Sequence, residues 1–265
     1  MNAQPSFLGN WLVSEYVYTP CGEWVGLVRQ RRSLQRQGEH IRVLQVCEPL
    51  ETPPHLSPRA KETAEVINRR TGTFLFDLEL NGQSRRYLGP DVLGGGFAWK
   101  EGVLTARGIW PRFGCNFTSY SFLLHPQRQL TGGKFFQANY EIATLVGVAV
   151  PETQEWPQLT AAPTVTGSGT QWTVSATGEM LTSTPLHSAE LEQRKAQLTF
   201  QQQSYGALRE IEAVSAPGET VSILEISDAE SGAQAFLWKI FQGECLQRVE
   251  IGLLQADSDN ARPKN

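Results

Sequence analysis

Hydrophobic and polar positions alternate with a period of two over most of this chain, in short runs ended by Gly, Pro, Asn or Asp, which is the signature of antiparallel strands. Residues 11–18 begin the series, rich in aromatic and β-branched side chains and stopped by Pro20 and Gly22. Residues 24–34 alternate imperfectly. Residues 40–47 do so cleanly, with Ile41, Val43, Gln45 and Cys47 opposed to Arg42, Leu44 and Val46, so the three segments predict a β-meander. One helix is expected next, with Ser57 as N-cap, Pro58 at the first helical position and Ala60, Ala64 and Ile67 on one face before Gly72.

Strands resume over 73–80, turn at Asn81-Gly82 and return over 85–88. Gly94-Gly95-Gly96 predicts a sharp reversal and Gly132-Gly133 a hairpin or bulge. Further strands are expected over 103–109, 116–124, 129–137 and 140–150, the last with a helical alternative. Residues 151–170, punctuated by Pro151, Pro157, Pro163, Gly167 and Gly169, read as a linker. Six or more short strands follow, residues 188–198 fit either a Ser-capped helix or a strand, and the tail from 257 to 265 is polar. The expected class is all-β, an antiparallel barrel with one to three short helices. The expected divisions are a first domain over 1–150, the linker, and a second domain over 171–265. Crossover helices long enough for a parallel α/β sheet are missing.

Composition narrows the class. The 265 residues are 40% hydrophobic and 19% charged, as in a globular chain able to bury a core without staples. No apolar window approaches the ~18 residues of a spanning helix, and the opening residues carry neither a basic patch nor an apolar run, so no export signal is expected and the cytoplasm is the expected compartment. Residues 1–150 hold 16 Lys and Arg against 12 Asp and Glu, whereas 151–265 hold 7 against 15. The acidic half opposes nucleic-acid binding, which draws its affinity from neutralised phosphates. Cys21, Cys47, Cys115 and Cys245 show no C-x-x-C spacing, so free thiols are expected, with no metal and no cofactor.

Phe7-Leu8-Gly9-Asn10-Trp11 resembles the G-x-W that opens the first strand of lipocalins and their calycin relatives. The resemblance implies a closed barrel, Trp11 as the plug of its closed end, and an arginine, Arg128 or Arg248, packed across the indole. Gly169-Thr170-Gln171-Trp172 looks like a weaker echo, which implies a duplicated barrel.

Candidate chemistry concentrates between residues 85 and 136, where Arg85, Arg107 and Arg112 stand among Trp110, Phe113 and Tyr120. Guanidinium groups bond carboxylate or phosphate and stack on rings, so an inward-facing set suits an amphipathic anion such as a fatty acid, a tetrapyrrole or a carotenoid-derived acid; an outward set is ordinary surface. Arg112 is the first choice, on a loop of residues 110–116 expected at the cavity mouth. The glycine runs lack the Lys-Ser or Lys-Thr and the helix of a phosphate loop, and no G-x-S-x-G occurs. Cys115 beside Arg112 and Asn116 is either an activated thiol or a buried small residue. His125 before Pro126 reads as a turn cap, while Asp77 and Glu79 share one strand face. Three readings follow: a binding protein for a small hydrophobic ligand with an acidic group; a barrel-type isomerase, cyclase or chromophore lyase using Arg112 as anion clamp and Cys115 or a tyrosine as acid or nucleophile; and a filled-barrel scaffold. Homodimerisation is left open.

Overall fold

A computed structural model describes residues 7–161 and 165–257. Pro163 and most of the polar tail lie outside the described residues. The chain forms two compact units, Met1–Gln158 and Leu159–Asn265.

The first unit is a closed ten-stranded antiparallel barrel. Its strands are β1 Gly9–Tyr18, β2 Trp24–Gln37, β3 His40–Cys47, β4 Gly72–Asn81, β5 Ser84–Leu88, β6 Leu93–Lys100, β7 Val103–Trp110, β8 Cys115–His125, β9 Arg128–Gln137 and β10 Tyr140–Pro151. Sequential strands pair, and β1 closes the ring against β10 with Val13 opposite Ala149. Closure leaves no exposed edge. The single helix of this unit, α1 Pro58–Asn68, starts as its sequence dictates: Ser57 Oγ accepts from the Ala60 N–H at 3.1 Å and Pro58 needs no partner there. Ala60, Ala64 and Ile67 are buried in one cluster with Val17, Val25, Phe74, Trp110 and Phe113, so α1 seals one end of the barrel.

Both glycine expectations are overturned. Gly94-Gly95-Gly96 lies inside β6 and Gly132-Gly133 inside β9, because neighbouring strands come too close there for side chains: a Cβ on Gly94 would stand 2.5 Å from the Arg107 carbonyl oxygen, and one on Gly133 2.0 Å from that of Thr118. The helical alternative for 140–150 is also set aside, since Tyr140–Pro151 pairs on both sides.

The second unit is a seven-stranded antiparallel sheet of β11 Gly167–Ser175, β12 Met180–His187, β13 Thr199–Tyr205, β14 Leu208–Ala216, β15 Glu219–Asp228, β16 Ala233–Gln242 and β17 Cys245–Ala256. The order β12-β11-β17-β16-β15-β14-β13 repeats the pairing of first strand with last seen in the barrel, but among the described residues β12 and β13 do not pair with each other, so this half echoes the order without the closure. Residues 167–170, expected in the linker, belong to β11. Helix α2 Ser188–Ala196 settles the open segment, with His187 rather than Ser188 as its N-cap; its Lys195 forms a buried ion pair with Glu225 at 3.1 Å, and Arg194 lies 4.4 Å over Trp238.

Candidate functional site

The barrel encloses a cavity of about 490 Å³. Strand register explains why this space is empty. On β6, β8 and β9 it is lined in part by Ala98, Ser119, Ser121 and Gly133, too small to reach the centre, while Leu104, Phe117 and Phe135 share their parity and also face it. Larger side chains, among them Val43, Phe76, Leu78 and Tyr87, line it from β3 to β5. The cavity reaches the surface at the β4–β5 and β6–β7 turns, where Gly82, Gln83 and Glu101 border it and are exposed.

At the inner end lies a buried polar cluster. Glu15, on the apolar parity of β1 between Val13 and Val17, is 4% exposed. Its Oε1 pairs with Arg32 Nη2 at 3.1 Å and its Oε2 with Arg70 Nη2 at 3.0 Å, while Gln30 donates to it and accepts from Arg32. Arg70 is 4% exposed and enters just past the C-terminus of α1, its N–H bonded to the Ile67 carbonyl. Its guanidinium rests over Phe135 at 4.9 Å and Trp110 at 5.5 Å. Burial works against this charge more than any single neighbour supports it, but Glu15 and the Cys47 sulfur together raise the Arg70 pKa above the ordinary arginine value. Two cations thus share one carboxylate, and beside the Cys47 thiol two Arg70 nitrogens, Nε and Nη1, make no hydrogen bond of good geometry. A buried cation with donors so placed is costly unless an anion completes it.

The expected site residues are scattered by this geometry. Trp110 lines the cavity and Arg85 faces it near the mouth, where its Nη1 donates to the Gly82 carbonyl at 2.6 Å. Tyr120 borders the cavity, but it shares the strand face of Phe122, opposite to that of Ser119, and its hydroxyl donates to the Leu145 carbonyl at 3.5 Å. Arg107 is exposed on the outward parity of β7. The 110–116 segment is at the sealed end, not the mouth: Pro111–Phe113 forms a 3-10 turn, Phe113 is core against Trp110 at 4.7 Å, and Arg112 is exposed with its guanidinium over Phe74. Apolar Trp110 and Phe113 pull that turn inward and leave the charge between them outside.

Trp11 is buried, 5% exposed, against Val13 and Ala149, and its indole N–H donates to the Phe7 carbonyl at 3.0 Å. It stands where β1 begins, at the end opposite to the one α1 seals. Of the two arginines expected across the indole, Arg128 is buried and donates to the Gln158 carbonyl at 3.2 Å, and Arg248 pairs with Glu250 in the second unit; in the barrel interior Arg70 rests over Trp110. Cys115 is the buried small residue of the two readings offered for it: burial pushes its thiol up and Sγ donates to the Phe113 carbonyl. Asp77 pairs with Arg42 at 2.5 Å and Glu79 with Arg86 at 3.4 Å, and His125 Nδ1 accepts from the Gln127 N–H as a turn cap. Among the described residues no cluster of His, Cys, Asp or Glu is arranged to hold a metal, and no helix is long and apolar enough to cross a membrane.

Sequence reasoning missed Glu15, Arg32 and Arg70. A signal existed for the first: a carboxylate on the same parity as Trp11, Val13 and Val17 is a charge on a core face.

No family model and no curated protein matches this sequence. Looser structural overlaps are with an S-type phycobiliprotein lyase, CPES, from Guillardia theta (TM-score 0.38, 8% identity, 57% of this chain and 90% of that one) and with kievitone hydratase from Nectria haematococca (TM-score 0.19, 8% identity, 97% and 92%). Over 95% of this chain and 97% of the other, the fold is similar to that of a protein of unknown function from the DUF3598 family of Nostoc punctiforme PCC 73102, with a TM-score of 0.53 at 9% identity.

Proposed function

We propose that this protein binds a small amphipathic anion inside the barrel, acid group inward at Arg70 and apolar body between the Gly, Ala and Ser wall and the Phe76, Leu78 and Tyr87 wall. The observation that carries this is the pair of donors on the buried Arg70 that make no hydrogen bond of good geometry, at the base of a cavity within the ~300 to 1,000 Å³ range usual for small-molecule sites. Arg32 and Arg70 against Glu15 leave one positive charge uncompensated, which favours a monoanionic head. Arg85 at the mouth adds a cation on the entry route. Cys115, the thiol offered as nucleophile, is committed to the core. Native mass spectrometry of protein purified from its own host tests the reading: a retained small acid supports it. A ligand-free barrel that also fails to take up palmitate refutes it.

A further inference from the structure

Tyr87 is a cavity-lining group that the anion anchor does not use. It sits on β5 opposite Leu78 on one side and Gly94 on the other, and Gly94 in turn faces Gly108 on β7. Neither glycine position admits a side chain, since a Cβ on Gly94 would press the Arg107 carbonyl and one on Gly108 would stand 2.3 Å from the Leu93 carbonyl oxygen. The Phe117 ring lies over Gly108, and both Phe117 and Tyr87 line the cavity. The Tyr87 ring is held by Phe76, edge-on at 6.0 Å. Among the described residues its hydroxyl has no hydrogen-bond partner, although the side chain lines the cavity. The hydroxyl is thus available to a ligand in the cavity. Burial also pushes its pKa up to about 12, so at neutral pH the phenol is protonated and able to donate.

The level of Tyr87 differs from that of the anchor. Arg70 rests over Trp110, which follows Gly108 at the next inward position of β7, two residues or roughly 7 Å along the strand. We propose that the ligand carries, besides its acidic head, an uncharged oxygen function partway along its body, a hydroxyl or carbonyl that pairs with the Tyr87 hydroxyl. The ligand class is then an oxygenated amphipathic acid rather than a plain fatty acid. This inference rests on the reading of Arg70 as the anion anchor.

The test is calorimetric titration of the full chain with palmitate and with a series of hydroxypalmitates whose hydroxyl is moved stepwise along the chain. At least one hydroxypalmitate should bind about 3- to 10-fold more tightly than palmitate, the value of one net hydrogen bond. Tyr87→Phe should bring the ratio of hydroxypalmitate to palmitate affinity back to about one, and its circular dichroism should match the parent. If no isomer gains, or if Tyr87→Phe weakens palmitate and hydroxypalmitate alike, Tyr87 is a packing residue and the inference is overturned while the anchor stands. If Arg70→Met binds every acid as the parent does, or no acid binds the parent at all, the anchor reading falls and takes the inference with it.

Discussion

Replacing Arg70 by Met and, separately, Glu15 by Gln should move ligand affinity in opposite directions and cost fold stability unequally. Met keeps most of the volume over Trp110 and Phe135 while removing the cation. Glu15 then retains Arg32 and Gln30 as partners, and the cluster becomes neutral. The stability loss should therefore stay below the ~3 to 5 kcal/mol of a broken buried pair, at about 1 to 2 kcal/mol. The binding loss should be larger, because two charge-assisted hydrogen bonds from Nε and Nη1 disappear at about 1.5 to 3 kcal/mol each, less the residual attraction of Arg32, so that palmitate affinity falls by roughly 30- to 1,000-fold. Glu15→Gln moves affinity the other way and costs more stability. It leaves the buried Arg70 and the half-buried Arg32 beside each other without their carboxylate, so the empty protein should lose about 3 kcal/mol, while anions bind more tightly because the site gains a full positive charge. Urea unfolding with and without palmitate, together with calorimetric titration, reads both quantities. The reasoning is refuted if Arg70→Met destabilises as much as Glu15→Gln while leaving palmitate affinity within twofold, since Arg70 would then be only the structural partner of Glu15.

Arg112→Met should leave palmitate affinity within about twofold, as expected for a surface substitution away from the cavity, and a large loss in the same titration would move the anion site to the sealed end. Trp11→Ala should cost about 3 to 5 kcal/mol in a urea transition, because the indole is buried among Val13, Leu34, Leu123 and Ala149. Tyr87 adds a pH signature: its folded pKa is about 12 against 10 in the unfolded chain, so the folded state holds the proton longer. The stabilising contribution is complete below pH 10 and lost as pH rises toward 12, and urea midpoints measured across that window should fall less steeply in Tyr87→Phe than in the parent.

The sequence by itself determined what is local. Alternation over 40–47 and the Asn81-Gly82 turn are satisfied within one strand or one hairpin, and both appear where periodicity puts them. Ser57, Pro58 and the spacing of Ala60, Ala64 and Ile67 likewise set α1, since a capped amphipathic turn needs no distant partner to be recognised. Gly94-Gly95-Gly96 could not be resolved locally: glycine permits a bend and equally permits two strands to touch, and only the carbonyl of Arg107 across the ladder decides between them. The arginines show the same limit. Arg85, Arg107 and Arg112 have similar neighbours in sequence, yet the barrel turns the first toward the cavity, leaves the second outside and holds the third on the sealed end.

Only the tertiary structure decided the site. Glu15 and Arg70 are 55 positions apart, one in the first strand and one past a helix end, and no periodicity links them. Small residues scattered over β6, β8 and β9 come to line one cavity only when the sheet closes. Period-two alternation states which residues share a face of a strand, but which face becomes the interior, and what stands across it, is set by the closure of β1 on β10.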